Sequence, residues 1–179
     1  MRRRFPVGSL LGLGVAALAL TYMHLMLSDR VNPVRQTVSD YVRSGAWAAW
    51  LNLTVLGLAC AVLAIIGGLC AADSRRFRLV SVLLGSSVVG LVGMALFPTG
   101  PVGSVSTPAG ELHRWSVTLS FLSVPCAGRV LARQLGGATR RRVARLSTLS
   151  VGFLAVLLVS YLPVVFPSPP GRAAWSSPA

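Results

Sequence analysis

The sequence predicts an all-α protein, a polytopic bundle of transmembrane helices. Of its 179 residues, 54% are hydrophobic and 12% are charged, whereas soluble domains carry about 25% charged residues. The apolar residues form long continuous runs and not the alternating pattern of a transmembrane β-barrel. A chain with so little charge cannot cover a water-exposed surface, so we expect the lipid bilayer to be its main partner.

Five apolar stretches are predicted to cross the bilayer, because a hydrocarbon core of about 30 Å needs about 20 helical residues. They lie at residues 5–27, 46–70, 79–97, 112–131 and 146–166. We assign them to one membrane-embedded domain, residues 1–167, and expect a Pro- and Ser-rich extracytoplasmic tail at 168–179. The fourth stretch is the least apolar, since it contains His113, Arg114 and Arg129.

The basic residues predict the orientation of the chain. All 17 are arginines, and twelve of them lie at the N-terminus, between spans two and three, or between the end of span four and the start of span five. The other five lie in the first and third connections, at the start of span four and in the tail. Cytoplasmic loops carry the excess of basic residues. We therefore predict a plasma-membrane protein with a cytoplasmic N-terminus and a C-terminus outside.

The first span has a second interpretation. Three arginines, an apolar run and the small residues Ala17 and Ala19 also fit a secretory signal peptide with its cleavage site. The apolar run continues to Leu27, which favours an uncleaved span.

The net charge of +13 would suggest nucleic-acid binding in a soluble chain. Here the arginines fall between apolar runs and not along one polar face, so nucleic acid is not an expected partner. Arginine without lysine, together with abundant alanine, glycine and proline, is typical of a GC-rich bacterial genome.

No metal site and no cofactor is predicted. Cys60, Cys70 and Cys126 lie in apolar segments without C-x-x-C spacing, so neither a disulfide framework nor a zinc site is indicated. The sequence contains no hydrolase, metalloprotease or phosphate-loop motif.

Polar side chains gather at the predicted outer membrane face. His24 lies near the outer end of the first span, Asp40 in the following connection, and Glu111, His113 and Arg114 at the start of the fourth span. Histidines with carboxylates can bind a metal, shuttle protons or hold a lipid headgroup. These residues also fit an ordinary membrane boundary, where polar groups are tolerated and an acid favours a helix N-terminus.

Three patches beside this face resemble one family, the small bacterial multi-pass membrane proteins called domain of unknown function 998. The patches are N-P-V-R-Q-T-V-S-D-Y at 32–41, F-P-T-G-P at 97–101 and S-T-P-A-G-E-L-H at 106–113. The resemblance covers about residues 6–166. It implies a helical bundle, usually of six spans, without an established activity. The residues after the fifth span leave no room for a sixth, so we expect either that this member has lost the last helix or that the chain is truncated, for example by a frameshift.

Three functions remain open from the sequence. The leading interpretation is a non-enzymatic accessory, sensing or lipid-interacting protein, with a lipid headgroup or another membrane protein as partner. The second is a small transporter or channel component. The third is a lipid-processing enzyme in which His113 is the acid–base group and Glu111 or Asp40 orients it.

Overall fold

The computed structural model describes residues 4–27, 45–97 and 107–165. These ranges contain five α-helices and no β-strand, which confirms the predicted all-α class. In chain order the helices are α1 (Arg4–Leu27), α2 (Gly45–Asp73), α3 (Arg78–Leu96), α4 (Pro108–Gln134) and α5 (Gly137–Val165).

The first four helices are long and apolar enough to cross a membrane, in agreement with the first four predicted spans. The fifth helix has 29 residues, and its crossing at 146–166 stays a prediction. The connections at 28–44 and 98–106 and the predicted tail at 168–179 lie outside the described residues.

The array of helices has two ends, and we name each end after the polar side chains that lie there. The histidine end carries His24 and His113, and the arginine end carries Arg76 and the arginines at the start of α5. At the histidine end, the Thr107 side chain accepts a hydrogen bond from the main-chain N–H of Gly110 at 3.1 Å. This cap satisfies one of the N–H groups that a helix start leaves open.

The two described connections at the arginine end are short, residues 74–77 and 135–136. In the first, the Asp73 carboxylate accepts a hydrogen bond from the main-chain N–H of Arg76 at 3.0 Å. Directly after the second, the first residue of α5, Gly137, has a φ of +58°. Glycine adopts this left-handed conformation without steric cost. Both features let the chain reverse direction within one helical turn.

Every extensive contact between the described helices joins neighbours in sequence: α1 with α2, α2 with α3, α3 with α4, and α4 with α5. Consecutive helices are antiparallel. Met23 and Leu27 pack on Trp47 and Leu51 at one end of the α1–α2 pair, whereas Phe5 approaches the glycines of α2 at the other end. The helices thus form an open array with α1 and α5 at its edges.

Small residues let the backbones of α1 and α2 approach closely. A Cβ atom at Gly12 would lie 2.6 Å from the main-chain oxygen of Gly57 and 2.8 Å from the main-chain nitrogen of Ala61. Because backbone atoms cannot move aside as a flexible side chain can, only glycine fits at this position. Close packing of this kind holds helices together in lipid, where no hydrophobic force acts between them.

The α3–α4 interface combines close packing with a hydrogen bond. A Cβ atom at Gly90 would lie 2.5 Å from the main-chain oxygen of Ser116 and 2.9 Å from the main-chain nitrogen of Ser120. The buried hydroxyl of Ser120 donates to the main-chain oxygen of Ser87 at 3.1 Å. Small polar residues therefore replace large apolar ones at this contact.

Large apolar side chains point away from the helix contacts. Leu18 is 73% exposed and Phe153 is 70% exposed, while the fully buried large side chains among the described residues are Met23 and Val80. Soluble monomers rarely expose extended apolar surface. The distribution suits helices whose outer faces contact lipid.

Candidate functional site

Five residues were predicted to form a polar site: His24, Asp40, Glu111, His113 and Arg114. Asp40 lies outside the described residues. The other four are at the histidine end, His24 in the last turn of α1 and the rest in the first two turns of α4.

His113 connects the start of α4 to the end of α3. Its side chain is buried, and its Nδ1 atom lies 2.7 Å from the main-chain oxygen of Phe97. Since a carbonyl oxygen only accepts, Nδ1 carries the proton and donates it. Phe97 follows the last residue of α3, where helix carbonyl groups lack partners within the helix. His113 satisfies one of these groups across the two helices.

The orientation of His113 limits its chemistry. In the neutral imidazole, a protonated Nδ1 leaves Nε2 as the acceptor. Any acid–base role would therefore use Nε2, for which no hydrogen bond to another described residue is recorded. Through Nδ1 the ring is fixed by a main-chain carbonyl. A carboxylate was the orienting partner expected for an acid–base histidine, and Asp40, one of the two candidates, lies outside the described residues.

Glu111 and Arg114 lie three residues apart on the same face of α4. The Arg114 Nη1 atom donates to Glu111 Oε1 at 3.0 Å, and both side chains are substantially exposed. Exposed ion pairs contribute about 0–1 kcal/mol. Glu111 also lies in the first turn of α4, where its negative charge complements the helix dipole. The predicted span began at residue 112, so α4 starts earlier than hydropathy indicated.

His24 lies on a different helix pair from His113. Its Nδ1 atom is 3.1 Å from the main-chain oxygen of Leu20, one turn earlier in α1. Helices α1 and α4 share no extensive interface among the described residues. Within the same ranges, no group of three or more His, Cys, Asp and Glu side chains is arranged to hold a metal ion.

An aromatic cluster lies near the histidine end of the α1–α2 pair. The ring centroids of Tyr22 and Trp50 are 4.5 Å apart, and those of Tyr22 and Trp47 are 6.3 Å apart. The two tryptophans fit the aromatic belt at a membrane interface. Tyr22 was not singled out from the sequence. The antiparallel pairing of α1 and α2 indicates its position, since Tyr22 lies as near the end of α1 as Trp50 lies near the start of α2.

A shallow groove begins at this cluster and runs along α1 and α2. Its volume is about 400 Å³. It is lined by Val15, Leu18, Ala19, Tyr22, Trp50 and Leu53. The lining is apolar apart from the edges of the two aromatic rings, so the groove matches a hydrocarbon chain and not a polar solute.

Four apolar helices of membrane-spanning length, small-residue interfaces and exposed apolar faces define an α-helical membrane protein. The family model described as "Protein of unknown function (DUF998)" matches residues 10–176. The chain belongs to this family, which confirms the resemblance seen in the sequence patches. No curated protein and no solved structure matches the chain.

Proposed function

We propose that the chain is a non-enzymatic membrane protein with an accessory role that depends on contact with lipid. The observation that carries this proposal is the hydrogen bond from His113 to the Phe97 carbonyl. The side chain best suited to acid–base chemistry is engaged in joining two helices. Glu111, the acid nearest to it in sequence among the described residues, pairs with Arg114 at the surface.

The apolar groove supports the lipid-interacting part of the proposal. Its lining residues lie on α1 and α2, which are apolar enough to cross a membrane. The aromatic rings of Tyr22 and Trp50 lie at its head, where interfacial aromatic residues contact headgroups. An acyl chain of the surrounding bilayer is the occupant that matches this lining.

The packed interfaces favour this role over transport. The backbones of α1 and α2 meet at Gly12 and Gly57, and those of α3 and α4 meet at Gly90. Transporters place broken helices or charged side chains near the middle of the membrane. Contacts this close leave no room for a water-filled path between the two helices of either pair.

The proposal includes an arrangement in the membrane. Residues 1–167 form one domain of five spans in the plasma membrane, the N-terminus is cytoplasmic, and the tail at 168–179 is outside. The arginine end then faces the cytoplasm, in keeping with the positive-inside rule. Proteolysis of sealed vesicles from each side tests the arrangement, because the connection at 28–44 is expected to be cut only from the outside.

The His113→Asn and His113→Ala variants test the non-enzymatic role. The asparagine side-chain nitrogen can take the place of Nδ1 and donate to Phe97, but it has no group equivalent to Nε2. We expect His113→Asn to keep both thermal stability and the phospholipid composition of expressing membranes, and His113→Ala to lose stability. A His113→Asn protein that is as stable as the wild type, but whose membranes differ in phospholipid composition from membranes that express the wild type, would indicate a lost enzymatic activity and overturn the proposal.

A further inference from the structure

The two connections at the arginine end contact each other. Arg76, in the connection between α2 and α3, donates a side-chain hydrogen bond to the main-chain oxygen of Gln134, the last residue of α4. Arg76 is also fixed through its main-chain N–H, which donates to the Asp73 carboxylate. The contact brings the start of α3 next to the connection that leads into α5.

Two runs of arginines meet as a result. All seven side chains are exposed, and we call them the arginine surface. Its members are Arg75, Arg76, Arg78, Arg140, Arg141, Arg142 and Arg145. Among the described residues at this end, Asp73 is the one acid that could offset their charge. The ion pair that the structure records lies at the opposite end, between Glu111 and Arg114.

Helices α2 and α4 end at this surface, at Asp73 and Gln134, so their dipoles offset those of the helices that begin here and the arginines supply the net positive charge. Helices α3 and α5 both begin here, at Arg78 and Gly137, and neither has an acidic residue in its first turn. A helix N-terminus carries a partial positive charge and unpaired N–H groups, so arginines there are unfavourable unless an anion is present. Two such termini beside seven arginines form a site suited to phosphate.

We propose that the arginine surface binds the phosphate groups of anionic phospholipids. Helix α5 continues without interruption from Gly137 to Val165, and Arg145 directly precedes the predicted crossing at residue 146. The arginines of the first turns of α5 therefore lie at the level of the headgroups. Basic residues at this level attract anionic lipids by about 1 kcal/mol each. The site is separate from the groove at the histidine end. The proposal for it depends on the proposed function only in requiring that the helices cross a bilayer.

The test measures which phospholipids stay bound to the full chain. The protein is reconstituted into vesicles of equal parts phosphatidylcholine and phosphatidylglycerol, extracted in mild detergent, and weighed intact by native mass spectrometry. The wild type is expected to retain phosphatidylglycerol in preference to phosphatidylcholine. The triple variant Arg140→Gln, Arg141→Gln, Arg142→Gln is expected to lose about tenfold or more of this preference. Equal retention of the two lipids by the wild type overturns the proposal.

Four controls separate charge, position, folding and the source of the phosphate. Lysine at the same three positions keeps the charge and is expected to keep most of the preference. Arg114→Gln removes an arginine from the opposite end and is expected to change nothing. If the triple glutamine variant does not fold, the pair Arg75→Gln and Arg78→Gln gives the same test without disturbing the Arg76 contact. Full displacement of the lipid by inorganic phosphate would show a site for a free anion and overturn the assignment to lipid.

Discussion

The Nδ1 atom of His113 lies 2.7 Å from the main-chain oxygen of Phe97, and this hydrogen bond joins the start of α4 to the end of α3. The acceptor is the carbonyl group of the residue that caps α3, where carbonyl groups lack partners within the helix. A residue that the sequence marks as a candidate for catalysis therefore stabilises the fold. Truncating this side chain to alanine would remove the donor of that hydrogen bond.

Replacing His113 with alanine is expected to lower the free energy of unfolding by about 1–3 kcal/mol, because a partly buried carbonyl group loses its hydrogen-bond donor. Unfolding of the purified protein in increasing concentrations of SDS measures the change. Arg114→Ala is the matched control, since it removes an exposed neighbour whose ion pair contributes about 0–1 kcal/mol. Equal losses for the two variants would contradict the role assigned to His113.

Gly90→Ala is expected to destabilise the α3–α4 contact by about 1–3 kcal/mol, the usual range for overpacking. The new methyl group would meet main-chain atoms of Ser116 and Ser120 that cannot move aside. Gly85→Ala is the control on the same helix, because a Cβ atom there has nothing within 4 Å. Its stability is expected to stay within about 1 kcal/mol of the wild type. Thermal unfolding of both variants in one detergent makes the comparison.

Gly12→Ala is expected to separate α1 from α2, whereas Gly14→Ala, with nothing within 4 Å of its Cβ position, is expected to leave them paired. Tyrosine and tryptophan fluorescence reports the contact directly, since Tyr22 lies 4.5 Å from Trp50 when the helices are packed. Energy transfer from tyrosine to tryptophan should therefore fall in the first variant and persist in the second. Equal fluorescence in both variants would show that the Gly12 contact does not hold the helix pair.

The cysteines test which parts of α2 lie in lipid. Cys60 and Cys70 are both exposed, but Cys60 lies near the middle of the helix and Cys70 in its last turns. A charged reagent does not enter hydrocarbon, so it reaches only thiols near the membrane surface. A charged maleimide added to open membrane fragments is expected to label Cys70 much faster than Cys60. After unfolding in SDS the two rates should become similar, and equal rates in the intact membrane would argue against the bilayer position of α2.

Hydropathy predicted the apolar part of each helix but not where the helix begins. Helix α4 starts at Pro108 and not at residue 112, because Thr107 caps it and proline fits a first turn. Helix α5 starts at Gly137, nine residues before the predicted span at 146. Arginine is a good helix former, so the helix continues past the lipid boundary into a charged segment that a hydropathy scale treats as a loop.

The contacts of the candidate site were harder to predict than its location. The gathering of His24, Glu111, His113 and Arg114 at one end follows from the positions of the spans alone. The pairing of His113 with Phe97 depends on how α3 and α4 align, because the two residues are sixteen positions apart in the sequence. The contact between Arg76 and Gln134 spans 58 residues. In both hydrogen bonds the acceptor is a main-chain oxygen. Since every residue has one, no sequence motif marks these contacts.

The open array of helices has a consequence for how the chain is assembled. Each helix after α1 contacts the helix that precedes it in sequence, so a growing chain can form each of these contacts as soon as the next helix enters the membrane. Contacts between sequence neighbours require little loop closure and form quickly. A chain that ended after α2 or after α4 would still contain complete helix pairs, α1 with α2 and α3 with α4. The array would lengthen one helix at a time, without waiting for a final helix to close a ring.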